Sequence, residues 1–159
     1  MADRLLQLLN EHRALIYKVA RLYANDAEDQ KDLFQDILVA VWQSWSRFEN
    51  RSQFSTWLYR VALNTALSWN RREKKRQAIE NQLEWHEVTD DPRQEQIDLL
   101  YHQMRRLDPI SRMLLSLRLD GYELPEIAEI SGMTINHVSV KIHRAKQQLT
   151  TWIQSNPTQ

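Results

Sequence analysis

Arg60, Asn64, Ser68, Arg71 and Lys75 recur at spacings of four, four, three and four. On an α-helix such spacing puts them on one face, cations interleaved with hydrogen-bonding side chains. A stripe of this kind suits one strand of nucleic acid, followed along its phosphates. Tyr59 and Trp69 lie beside it and offer stacking surfaces, whereas Trp57 reads as core. Toward the end of the same stretch, five of the six residues 71–76 are Lys or Arg. A helix C-terminus favours cations through its dipole alone, so the stripe by itself leaves both readings open.

A second constellation lies in "YELPEIAEISGMTINHVSVKIHRAKQQL". A short helix with Ile127 and Ala128 inward meets a turn at Gly132-Met133, and Thr134 is placed to cap the next helix. The predicted buried face of that last helix is Ile135, Val138, Ile142, Ala145 and Leu149. This is helix-turn-helix spacing, in which the second helix offers its outer face to a major groove. That face centres on Asn136, Val140 and His143, flanked by His137, Ser139, Lys141 and Arg144. Asn136 suits an adenine edge and Val140 a thymine methyl, while Lys141 and Arg144 suit phosphates. An ordinary helical hairpin with a solvated polar face is the plainer alternative.

Other chemistry finds little support. His12, His86, His102, His137 and His143 are scattered, and the last two do not share a helix face. No cysteine is present, which removes disulfides and thiolate zinc sites. There is no glycine-rich phosphate loop and no nucleophile motif. No catalytic residue, metal, cofactor or small-molecule substrate is therefore expected, and the carboxylates read as helix starts and exposed faces.

The elements that position these residues are helices. Two Gly and four Pro give little turn chemistry for a sheet, and no long stretch alternates apolar with polar residues. The expected fold is all-α, with two small helical domains joined by a linker. Residues 1–76 form the first, a three- to four-helix bundle; 77–93 form an acidic linker, and 94–159 form the second. A first helix carries Leu5, Leu8, Leu9, Leu15, Ile16, Val19, Ala20 and Tyr23 on one stripe. Asn25 or Asp26 caps a second, striped by Leu33, Phe34, Ile37, Leu38, Val41, Trp42 and Trp45. Ser52 is a candidate cap for a third, from 53 to 76, with Phe54, Trp57, Leu58, Val61, Ala62 and Thr65 inward. Beyond the linker, Ile97, Leu100, Tyr101, Met104 and Leu107 form another stripe. Asp108-Pro109 then starts a helix that Gly121 closes.

Net charge is zero, yet residues 37–76 carry eight basic and two acidic groups, and residues 77–108 three and eight. Such asymmetry fits one segment facing a polyanion and a neighbour that avoids or mimics it. The amino-terminal stretch lacks the unbroken apolar run of a signal peptide or a membrane span, so a soluble, cytoplasmic protein is the expectation.

The run from Asp26 through Arg76, with "DLFQD" and "FSTWLYRVALNTALSWNRREKKR", resembles domain 2 of bacterial extracytoplasmic-function (ECF) sigma factors. Residues from Leu107 to Leu149 resemble their domain 4. The resemblance implies a subunit that directs core RNA polymerase to promoters. Asp32, Leu33, Gln35, Asp36 and Trp42 would dock on the clamp helices of the polymerase's largest subunit. The loop from Phe48 to Gln53, with Arg51 and Ser52, would capture a base flipped from the −10 element. Arg60, Asn64, Ser68, Arg71, Arg72 and Lys75 would hold the melted non-template strand. Thr134, Asn136, His137, Ser139, Val140, Lys141, His143 and Arg144 would read the −35 element as duplex. Domain 4 would also meet the polymerase flap, and the linker would occupy the RNA path. An anti-sigma factor, often membrane-anchored in this family, is a further implied partner, and would hold the chain at the inner membrane. The family more often has Ser or Thr at the place of Glu123, a polar residue at Pro125, and a basic residue at Ser139. A conventional dimeric helix-turn-helix regulator is the alternative; it accounts for the C-terminal unit but leaves Arg60 to Arg76 without a role.

Overall fold

In a computed structural model of the chain, residues 2–77 and 92–155 are described, with all their side chains except those of 74–77, 92, 94 and 95. Most of the expected linker, 78–91, lies outside the described residues. Every regular element among the described residues is helical. The chain divides into two compact units, Met1–Trp85 and His86–Gln159.

The first unit holds α1 (Ala2–Glu11), α2 (Arg13–Tyr23), α3 (Ala27–Ser44), a 3-10 turn (Trp45–Arg47) and α4 (Phe54–Gln77). The single first helix expected from the sequence is broken at His12, whose φ of −110° and ψ of 17° leave the helical region. Its Nδ1 sits 2.9 Å from the Leu8 carbonyl, and its ring meets the Phe54 ring edge-on at 5.1 Å. The Leu8 carbonyl thus serves a side chain as well as the backbone, and the chain turns there. Leu5 of α1 and Ile16, Val19, Ala20, Leu22 and Tyr23 of α2 are buried.

Asp26 is the cap of α3: its Oδ1 accepts the Asp29 N–H at 2.7 Å. Glu28 and Asp29 then place negative charge against the positive end of the dipole. Leu33, Ile37 and Val41 form the buried edge of α3. In α4 the Trp57 N–H bonds the Gln53 carbonyl at 3.1 Å, so Gln53, not Ser52, stands at the cap position. The face of α4 is also rotated from its expected setting. Leu58, Tyr59, Ala62, Leu63, Ala66 and Trp69 are buried, whereas Phe54, Trp57, Val61 and Thr65 are half-buried. Tyr59 and Trp69, only 5% and 8% exposed, are core residues and not stacking surfaces.

The second unit holds α5 (Pro92–Met104), α6 (Pro109–Leu119), α7 (Leu124–Ser131) and α8 (Ile135–Ser155). Only the end of the expected α5 stripe is buried: Met104 and Leu107 are inside, while Ile97 and Leu100 are exposed. The α5–α6 corner is fixed by two side chains. The buried Arg112 Nη2 donates to the Arg105 and Leu107 carbonyls at 2.8 and 3.0 Å, satisfying acceptors of the turn that follows α5. Asp108 Oδ2 accepts the Ser111 N–H at 3.1 Å, with Pro109 in the first turn.

At the far end of α6, Gly121 takes φ +93° and donates to the Arg118 carbonyl, while the Tyr122 N–H reaches the Leu117 carbonyl. That pair of bonds is the Schellman closure, and a Cβ-free residue is what it favours. Gly132 ends α7 likewise at φ +74°, its N–H on the Ala128 carbonyl at 2.9 Å. Ile127 and Ile130 are buried beneath this turn. Glu123 makes no side-chain cap bond at the start of α7; it pairs instead with Arg118 at 3.5 Å. Among the described residues no helix is long and apolar enough to cross a membrane.

Burial alone would raise the Asp108 pKa. The hydrogen bonds from the Ser111 side chain and N–H, helped by the Lys141 charge, outweigh it and hold the carboxyl below the ordinary carboxylate range. A depressed folded pKa contributes stability above the unfolded value of about 4, lost as pH falls through the folded value. Asp108→Ala is therefore expected to destabilise the second unit by about 1 kcal/mol at neutral pH. Amide exchange of α6 measures it: the gap between variant and parent should close on acidification, and a gap that persists in acid would assign the loss to something other than the cap.

Candidate nucleic-acid interface

The buried residues of α4 centre on one side of the helix, and Arg60, Asn64, Ser68 and Arg71 fall on the opposite side. Asn64 and Arg71 are exposed and Arg60 and Ser68 half-buried. Arg71 Nη2 donates to Ser68 Oγ at 3.2 Å, which sets the guanidinium along the ridge. Arg72 lies nearer α3 and reaches Asp36 at 3.8 Å. The Lys75 side chain lies outside the described residues.

Below the amino-terminal end of this ridge is a ring cluster. The Phe48 ring lies 5.0 Å from Trp57, 5.6 Å from Trp45 and 5.9 Å from Phe54. Stacked, edge-to-face and tilted pairs of this kind stabilise beyond their buried area, by about 0.5–1.5 kcal/mol each. They anchor Phe48, so that candidate is part of the floor on which the loop stands. Ser52 is half-buried, and Arg51 is exposed and pairs with Glu49 at 2.8 Å. Phe54 and Trp57 turn out half-buried because they are drawn into these rings.

The acidic candidates divide. Asp32, Gln35 and Asp36 are exposed on α3, and Trp42 is 59% exposed on the same outer side. Leu33 is fully buried, so it supports this surface from beneath and has no atoms to offer a partner. Val39, 54% exposed, stands three residues before Trp42, and sequence reasoning missed it. The signal was available: Val39 and Trp42 both fall off the Leu33–Ile37–Val41 edge. Asp32, Gln35, Asp36, Trp69, Arg72 and Glu73 line an open concavity where α3 and α4 run side by side.

On α8 the buried line is Val138, Ile142, Ala145 and Leu149; Ile135, expected inside, is about half exposed because it precedes the first buried turn. Thr134 Oγ1 accepts the His137 N–H at 3.2 Å, the capping role expected of it. Asn136, His137, Ser139, Val140, His143 and Arg144 are all exposed, and Lys141 is half-buried. Lys141 acts on Asp108 of α6 electrostatically, so part of its charge is already used within the unit. The outer face continues past Arg144 into a concavity lined by Gln147, Gln148, Thr151 and Trp152, which sequence reasoning also missed. The Arg106 guanidinium, 4.2 Å over the Trp152 ring, fixes that end of α8. Among the described residues no three His, Cys, Asp or Glu side chains converge as a metal site would need.

Both units are similar to known proteins. Residues 8–76 match the Sigma-70 region 2 family model and residues 97–149 match Sigma-70, region 4. The RNA polymerase sigma factor YlaC of Bacillus subtilis is 31% identical over 131 residues, covering 77% of this chain and 76% of that protein. The RNA polymerase sigma factor NccH of Alcaligenes xylosoxydans xylosoxydans is 27% identical over 161 residues, covering 94% and 87%. In fold the chain is similar to the sigma factor RpoE of Bartonella quintana, solved with the anti-sigma factor NepR. That match has a TM-score of 0.78 at 20% identity, over 96% of this chain and 98% of that one.

The ridge is expected to be dispensable for folding. Leu58→Ala should cost about 2–5 kcal/mol, whereas Arg71→Gln should change stability by no more than about 0.5 kcal/mol. Urea unfolding distinguishes them, and a large loss in Arg71→Gln would make the ridge a structural feature.

Proposed function

Because the chain belongs to the extracytoplasmic-function family of bacterial RNA polymerase sigma factors, and so directs core polymerase to promoters and starts transcription there, we propose that its exposed faces divide that task. The α3 face of Asp32, Gln35, Asp36 and Trp42 docks on the largest subunit's clamp helices. Acids around an exposed aromatic suit a basic partner, the acids setting orientation and the ring supplying most of the affinity. The loop Phe48–Gln53 takes a base flipped from the −10 element. The ridge of Arg60, Asn64, Ser68 and Arg71, extended by Arg72 and Lys75, holds the unpaired non-template strand. Flipping costs a few kcal/mol, and a surface that binds only the open strand offsets that cost.

The observation that carries this reading is the ridge on α4, which lies on the side of the helix opposite its buried residues, with Asn64 and Arg71 exposed. Asn136, Val140, His143 and Arg144 of α8, with their flanking residues, read the −35 element as duplex. The functional domains are 1–76 and 94–159. The chain contributes binding, and the polymerase contributes the chemistry. It acts in the cytoplasm and is held inactive by an anti-sigma factor; the solved complex of RpoE with NepR is the support for such a partner.

Run-off transcription with core polymerase on genomic DNA tests the whole: initiation at a subset of promoters is expected, and initiation at none would contradict it. Asn64→Ala should lower promoter opening about tenfold or more while core affinity changes less than twofold; equal losses would remove Asn64 from the strand-holding face. Arg144→Ala should weaken −35 duplex binding and reduce the salt slope by about one. A salt dependence identical to the parent's would rule out its phosphate contact.

A further inference from the structure

Among the described residues Asn50 is the one non-glycine with a left-handed backbone, at φ +57°. Asn tolerates that region better than most side chains, yet it is sparsely populated and needs support from its surroundings. The turn around it is exposed, and Glu49 and Arg51 on either side pair with each other. Just before it, Phe48 is anchored among the rings of Trp45, Phe54 and Trp57. A further tie comes from the far end of the unit: Arg4 Nη2 on α1 donates to Asn50 Oδ1 at 3.5 Å, across 46 positions of sequence.

That bond is long and exposed, so it does little for global stability. Its effect is local. An Asn amide in a turn ordinarily bonds its own backbone nearby, which draws the turn closed. A guanidinium that bonds the same oxygen from outside competes with that closure.

We propose that Arg4 is a positioning residue for the loop Phe48–Gln53, holding Asn50 left-handed so that the turn stands open above its ring floor to receive one unpaired base. The inference rests on the base-capture reading of that loop, and it adds α1, to which no role in promoter recognition had been assigned. A turn held in one shape loses less freedom with the base that matches that shape, whereas a base that does not match must deform it, so the gain is selective. A guanidinium that merely contacted phosphate would favour all sequences equally. That difference separates the two roles.

The test uses the full chain with core polymerase and a promoter pool randomised across the −10 element, scoring base preference among opened promoters. Arg4→Ala and Asn50→Gly are each expected to lower the preference at one and the same position, by about two- to tenfold. The double variant should lose no more than either alone, since both remove one interaction. Asn50→Asp, which keeps an acceptor for Arg4 and tolerates the same backbone, should retain the preference. Both side chains are exposed, so thermal midpoints should match the parent's. Unchanged preference in Arg4→Ala, losses that multiply in the double variant, or uniform weakening on all sequences would each overturn the proposal. A parent holoenzyme without preference at any −10 position would instead remove the base-capture reading, and this inference with it.

Discussion

α4 packs on α2 and α3, and its buried side carries Ala62 and Ala66 between Leu58, Leu63 and Trp69. Small residues in the middle of the line let the backbones approach, and the larger ones on either side fill the remaining space. Each leucine buried here stabilises by roughly 1.5–3 kcal/mol, while an exposed ion pair such as Asp36–Arg72 contributes at most about 1 kcal/mol. The buried side of α4 therefore outweighs its exposed ion pair in holding that helix to the first unit. A rigid helix then fixes where the charges on its other side go. From Arg60 to Arg71 the ridge runs about 16 Å at 1.5 Å per residue, the length of a few nucleotides.

The same packing brings the surfaces proposed for two different partners next to each other. Asp36, on the face assigned to polymerase, reaches Arg72, on the helix assigned to DNA. The ring cluster of Trp45, Phe48, Phe54 and Trp57 closes the opposite end of that helix and carries the loop. The second unit relies on helix ends instead. Asp108 and Arg112 fix one corner, Gly121 and Gly132 fix the next two, and Thr134 starts α8. Each device is worth about 1 kcal/mol. Together they aim α8 so that Val138, Ile142, Ala145 and Leu149 face inward and Asn136, Val140 and His143 face out.

Much of this was legible in the residues because the strongest signals were local ones. Asp108-Pro109, Gly121, Gly132 and Thr134 act within four residues of themselves, and each does in the structure what its type suggested. The ridge on α4 was legible because polar spacing survives a small rotation of the helix. The inward face was not. Phe54, Trp57, Leu58, Tyr59, Val61 and Leu63 make the start of α4 apolar nearly all round, so periodicity alone leaves its inner side open. The ring cluster decides it by drawing Phe54 and Trp57 aside. Leu33 was misassigned for a different reason, since a motif names a stretch of chain without saying which of its residues face outward. The His12 break depends on a ring meeting the Leu8 carbonyl and Phe54, and no pattern of apolar residues reports that.

The central claim is that the far side of α4 holds an unpaired strand. Permanganate reactivity of thymines in promoter complexes measures this most directly, comparing the parent with a chain in which Arg60, Asn64 and Arg71 are all replaced by Ala. Reactive thymines around the −10 element with the parent, lost in the triple variant while core polymerase still binds, are the predicted result. Thymines equally reactive with both chains, or with neither, would contradict it.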